Sequence, residues 1–156
     1  MPSWSTIEGA APALASRARA MFDAHVHKTI ATLRQDGSPR ISGTELIFAE
    51  GELWFGSMWQ SLKARDLQRD PRFAIHSGSI DPPGWAGDAK LAGRAVEVTD
   101  DAVKAAVIGG NAPPGPNHLF RADISELSVV MLGEPRDHLV IDSWNDERGL
   151  VRRTRR

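Results

Sequence analysis

The apolar positions of this chain change their spacing near residue 25. Before it, Leu14, Ala18, Met21 and Phe22 recur at offsets of four, seven and eight, one helix face, and predict a helix over 11–24. Pro12 suits its first turn, and Arg17 and Arg19 fall off the apolar face. Beyond it, short runs rich in β-branched residues alternate with turn signals. Residues 26–34, 40–48 and 53–57 predict three strands arranged as a meander, with Asp36-Gly37 marking the first turn. Ser61 can cap a helix running to about Arg69, and Asp70-Pro71 ends it. Residues 72–78 and 89–99 predict further strands, with Gly93 a candidate bulge. Thr99 is expected to cap a short helix over 99–110, with Asp100 and Asp101 in its first turn and Gly109 as its stop. Residues 118–132 and 137–144 are the last strand candidates, split by Gly133-Glu134-Pro135, and 111–117 reads as a loop. Six or seven short strands joined mostly by hairpins, with three short helices, predict an antiparallel barrel, because closure removes exposed edges.

Composition narrows the class. The 156 residues suit a single domain spanning 1–156, large enough to bury a core. Hydrophobic residues make up 41% and charged ones 25%, and the net charge of −1 gives no global reason to expect nucleic acid. The absence of cysteine excludes disulfides, thiolate metal sites and a cysteine nucleophile, and fits a cytoplasmic protein. The first 22 residues lack the unbroken apolar run of a secretory signal, and no stretch approaches the roughly 20 apolar residues of a membrane span.

Charge is nevertheless concentrated at 55–72, FGSMWQSLKARDLQRDPR, where a strand gives way to a helix. A helix start exposes free N–H groups and the positive end of the dipole. Ser61 adds a hydroxyl, the amides of Leu62, Lys63 and Ala64 point the same way, and Lys63 and Arg65 supply cations. Such an assembly suits a phosphate. The same residues also read as a solvated basic helix face. Arg40 starts the second strand and either reaches the same anion or lies exposed at a hairpin mouth. Trp54, Phe55, Met58 and Trp59 flank the junction, as core or as a stack for a bound ring.

In order along the chain, ATLRQDGSPR, ISGTELIF, ELWFGS and SLKARDLQRDPRFAI resemble the pyridoxamine 5′-phosphate oxidase-like family of flavin and deazaflavin oxidoreductases. The close resemblance spans residues 28–78 and a looser one reaches about residue 145. It implies a mainly β, α+β fold: a six- to seven-stranded antiparallel split β-barrel of Greek-key type with short helices. By the same resemblance Ser61 and Lys63 match the Ser-x-Lys pair that holds the cofactor phosphate, with Leu62 between them and Arg65 nearby. Gly56 and Ser57 match the strand end that lines the phosphate and ribityl chain. Arg40, Ile41, Ser42 and Gly43 match the strand that passes the flavin ring, and Trp144 a tryptophan that touches it. The implied cofactor is FMN or the deazaflavin coenzyme F-420. The implied assembly is a homodimer with the cofactor between subunits. The implied activity is oxidation or reduction of a small organic substrate, with a non-catalytic flavin- or haem-binding protein as the alternative. Redox chemistry would belong to the cofactor, so no catalytic acid–base residue is expected.

Other candidates carry less. His25, His27, His76, His118 and His138 lack metal-ligand spacing, and no metal is expected. Asp36, Glu45 and Asp142 suggest no acid–base pair, and no nucleophile-elbow, Walker or dinucleotide motif occurs. The Arg-rich tail over 148–156 is expected to be a frayed terminus rather than a nucleic-acid arm.

Overall fold

The computed structural model describes residues 2–111 and 115–156. Two helices open it. The first, α1 (Trp4–Ala10), was not signalled by apolar spacing; a capping box fixes its start, with Ser3 Oγ accepting from Thr6 N–H. The second, α2 (Pro12–Asp23), is the expected helix with Pro12 in its first turn, and it buries Leu14, Ala15, Ala18 and Phe22.

Among the described residues nine strands follow: β1 (Lys28–Leu33), β2 (Pro39–Thr44), β3 (Leu46–Ala49), β4 (Glu52–Met58), β5 (Arg72–His76), β6 (Asp88–Glu97), β7 (Asn117–Leu132), β8 (Leu139–Asn145) and β9 (Gly149–Arg155). Helix α3 (Leu62–Arg69) lies between β4 and β5, and α4 (Asp101–Ile108) between β6 and β7. Three expectations need correction. The run over 40–48 is two strands broken at Glu45, whose side chain is exposed. The cap of α4 is Asp100, which accepts from Val103 N–H at 3.0 Å, because one residue further on the carboxylate meets the free amides. The Arg-rich tail is not frayed: it pairs with β8 as β9. The expected loop over 111–117 falls partly outside the described residues.

The sheet runs β2-β1-β5-β6-β7-β4-β3, all antiparallel, with β8 and β9 branching from β7. The expected meander is therefore wrong. The β1–β2 and β3–β4 hairpins sit at opposite ends of the path, because β1 takes β5 as its second partner and β4 takes β7. The long β7 pairs with β4 through its first residues and with β8 through its last. No ladder joins β2 to β3, so the barrel is split between its two end hairpins. Gly93 does mark a bulge: the register shifts there, β7 carries the extra residue Ser125, and a Cβ at Gly93 would come within 2.0 Å of Asp123 O.

One apolar core fills the inner side of the sheet. Ile30, Phe55, Phe73, Ile75, Leu91, Phe120, Leu127 and Val129 pack there with Leu14 and Phe22 of α2. Asp142 on β8, 2% exposed, ties two elements together: it accepts from Arg17 of α2 at 2.6 Å and from Arg152 of β9 at 2.7 and 2.8 Å. No helix among the described residues is long and apolar enough to cross a membrane.

Candidate functional site

The split and the start of α3 coincide. Ser61 caps α3, its Oγ accepting from Ala64 N–H at 3.1 Å and meeting Ser57 Oγ at 2.5 Å. That leaves the N–H groups of Leu62 and Lys63, in the first turn, for a ligand. Lys63 extends across the gap: its Nζ donates to Gly43 O of β2 at 3.3 Å and to Gly56 O of β4 at 3.4 Å. Both contacts are longer than a good N–H···O bond. Burial lowers the affinity of the Lys63 ammonium for its proton below the ordinary value, and no carboxylate among the described residues forms an ion pair with it. Two hydroxyls, two free amides and a half-buried cation without a counter-ion thus converge at one helix start.

Arg40 has a different partner. Its Nε donates to Asp66 Oδ2 at 2.7 Å, and the same buried carboxylate accepts from Thr32 Oγ1 at 2.8 Å and Arg69 at 3.1 Å. Burial pushes the Asp66 carboxyl up, but the hydrogen bonds from Arg40, Thr32 and Arg69 outweigh it and hold the group below its ordinary range. The rest of the Arg40 guanidinium faces a groove of about 570 Å³ shared with Arg34, Leu62, Arg65 and Arg69. This groove begins beside the start of α3.

On the face of the sheet away from the core, Ala31, Ala74 and Ala92 line up across β1, β5 and β6, with Ile41 of β2 at one end and Glu126 of β7 at the other. They form the floor of a second groove of about 410 Å³, edged by Thr29, His76 and Lys90. Ile41 is 74% exposed. Gly43 follows it on the same face, in unbroken register with Thr29 and with no atom within 4 Å of where a Cβ would stand. No bulge interrupts β2 at Gly43.

The structure thus brings Gly43, Gly56, Ser57, Ser61, Leu62 and Lys63 together at the split. Ser42 lies beside Gly43, Ile41 and Gly43 open onto the outer groove, and Arg40 and Arg65 line the arginine groove. Trp144 stands apart. It is 4% exposed in the core and pairs with Leu127, nine residues along β7 from His118, or about 30 Å of strand. Of the four large apolar residues at the junction, Trp54 and Phe55 are core, whereas Met58 and Trp59 are 83% and 53% exposed.

His118 is the neighbour that sequence reasoning passed over. It is 4% exposed on β7, paired with Ser57, and hydrogen-bonded to Glu97 and to the turn before Ser61. Nothing in its local sequence marks it, because the β4–β7 pairing that brings it there spans about sixty residues. Among the described residues no three histidine or acidic side chains group as a metal site.

The comparisons agree with this geometry. The family model for pyridoxamine 5′-phosphate oxidase matches residues 14–131. No curated protein matches the chain. Among solved structures, PhzG from Burkholderia lata 383, crystallised with tetrahydrophenazine-1-carboxylic acid, superposes with a TM-score of 0.66 at 14% identity, covering 99% of this chain and 96% of that one. A pyridoxamine 5′-phosphate oxidase-related, FMN binding protein from Nostoc punctiforme PCC 73102 gives 0.61 at 18% identity, over 96% and 97%. General Stress Protein 26 from Bacillus anthracis str. Sterne gives 0.60 at 15% identity, over 73% and 91%. At these identities the superpositions speak for the fold, the antiparallel split barrel. The family match covers most of the chain and includes both strands and the helix that build the cradle, and the chain belongs to the pyridoxamine 5′-phosphate oxidase family.

Proposed function

We propose that this protein binds FMN as a homodimer and uses it to oxidise or reduce a small organic substrate. The observation that carries the reading is Lys63: a half-buried ammonium with only two long carbonyl contacts, beside Ser57, Ser61 and the free amides of α3. A desolvated cation with no counter-ion is costly unless an anion completes it. A phosphate monoester matches that donor set, since it accepts from hydroxyls, amides and an ammonium together. When bound, the flavin supplies the electron and hydride chemistry.

The chain's own residues would anchor and orient. Ser57, Ser61 and Lys63 would hold the phosphate at the split, and the β2 backbone at Ile41–Gly43 would pass beside the ring. The apolar outer groove with exposed Ile41 would be covered by a second copy, which closes the ring's other side and excludes water. Sedimentation should then give a mass near twice the 17.0 kDa chain.

A second reading for the cofactor rests on the arginine groove. FMN ends at its phosphate and would not extend into this groove, where Arg34 donates to Pro39 O and Arg65 to the Gln60 side chain and neither has a carboxylate in an ion pair among the described residues. Coenzyme F-420 carries further carboxylates beyond its phosphate, and these would pair with guanidinium groups of that groove, whose lining also includes Asp36 and Asp66. Titrating the purified protein with FMN and with F-420 side by side distinguishes them, and reduction of the bound form by added donors then tests turnover. FMN binding with turnover supports the proposal. Tighter binding of F-420 moves it to the second reading. Tight binding without turnover of any donor makes the protein a carrier, and no binding of either removes the assignment.

A further inference from the structure

The turn between β4 and α3 runs from Met58 to Ser61 and is closed by Ser61 N–H donating to Met58 O at 3.1 Å. Its third residue, Gln60, has φ of 56°, whereas Trp59 does not share the left-handed conformation. That is the pattern of a type II turn, which favours glycine at the place Gln60 occupies. The surroundings offset the strain. Gln60 N–H donates to His118 Nε2 at 3.0 Å, and the Trp59 indole lies flat on the imidazole, 4.6 Å between centroids at 12°. Because Nε2 accepts, the ring proton sits on Nδ1, which donates to Glu97 Oε2 at 2.6 Å. Glu97 in turn accepts from Gln68 at 2.8 Å. The other charged groups near His118 are Lys104 of α4, which donates to Asn117 O, and Arg65 of α3, which reaches the Gln60 side chain; the partner on β4 is the uncharged Ser57.

We infer that His118 is a positioning residue for the cofactor cradle: its neutral imidazole holds the Met58–Ser61 turn in the form that sets Ser61, and its protonation releases that turn. The inference rests on the phosphate reading of the cradle. A type I turn differs from type II by a flip of the central peptide. In the flipped form Trp59 O, not Gln60 N–H, faces the imidazole. A bare Nε2 selects the N–H; an imidazolium carries hydrogen on both nitrogens and selects the carbonyl. The type I form needs no left-handed residue, so Gln60 relaxes once its acceptor is gone. Ser61 is both the last residue of the turn and the cap of α3, so a turn that has lost its anchor to β7 no longer fixes the Ser61 hydroxyl.

The test follows nitrogen-15 resonances of the His118 ring and the Gln60 amide in the cofactor-free protein, from about pH 8 to about pH 5, where imidazoles change charge. FMN is titrated over the same range. The expected result is an Nδ1–H ring at high pH with the Gln60 amide bonded to Nε2, lost together on protonation, while FMN affinity falls about tenfold. His118→Gln keeps an acceptor that does not titrate and should lose the protein's share of the pH dependence, leaving only that of the FMN phosphate. His118→Phe should bind FMN weakly throughout. Adding Gln60→Gly to it should restore most of the affinity, since glycine adopts the turn unaided. A purely structural histidine would leave that double variant as weak as His118→Phe, and this outcome overturns the inference. An Nε2–H ring, or a Gln60 amide that ignores His118 titration while FMN still binds, also overturns it. Failure of the wild-type protein to bind FMN or F-420 at any pH overturns the phosphate reading and the positioning role with it.

Discussion

Lys63→Met removes the charge from the cradle and nearly preserves the length of the side chain. In the free protein the ammonium makes only two carbonyl contacts, at 3.3 and 3.4 Å, each beyond the usual range and worth well under about 1 kcal/mol. Burial of the charge opposes them, as the depressed proton affinity of Lys63 indicates. The two effects nearly cancel, so the melting temperature without cofactor should change by no more than about 4 °C, or should rise. With a phosphate present the same ammonium makes a charge-assisted contact worth about 1.5–3 kcal/mol, so FMN should bind about 10- to 150-fold more weakly. Quenching of flavin fluorescence on titration measures the affinity, and thermal unfolding of the cofactor-free protein measures the stability. Unchanged FMN affinity, or a large stability loss without cofactor, would make Lys63 a strap across the split and not a phosphate ligand.

Other outcomes follow from neighbouring groups. Asp66→Asn should destabilise the fold by about 2–3 kcal/mol in chemical denaturation, since it leaves Arg40 without its counter-ion; Arg69, partly in water, loses less. The Asp142 carboxyl is held below its ordinary value chiefly by hydrogen bonds from Arg152, then by Arg17, so its stabilisation is full above about pH 4 and is lost as pH falls through the folded value. Acid unfolding of Asp142→Asn should accordingly start from a less stable protein and show a shallower loss as pH falls below about 4. Gly43→Val meets open space, so its melting temperature should stay within about 3 °C of the parent while FMN turnover falls more than FMN affinity; equal losses of both would remove Gly43 from the ring face.

The cradle was legible because its parts are local. Ser61, Leu62 and Lys63 fall within three residues, and a helix start with a capping hydroxyl can be read from sequence alone. The positions of β2 and β4 relative to it needed the family resemblance, since β2 and β4 approach each other without a ladder. Long-range pairing accounts for most of the errors. The β1–β5 and β4–β7 ladders override the hairpin order that suggested a meander, and His118 gains its role only through β7. Trp144 matched a pattern near the end of the chain, but its indole packs against the core. The strand in the tail was hidden because its cations looked solvated; Asp142, buried ten residues earlier, gives Arg152 its partner. Arg40 likewise looked free until Asp66 turned inward from α3 to meet it.

The proposed function rests on the start of α3 at the split being a phosphate site. Calorimetric titration of the purified protein with FMN and with riboflavin, which lacks only the phosphate, tests it most directly. Loss of the Lys63 contact and at least one further hydrogen bond from the hydroxyls or amides amounts to about 3–4 kcal/mol, so riboflavin should bind at least about 100-fold more weakly than FMN. Equal affinity for the two would contradict the claim, whatever the protein then proved to do with the ring.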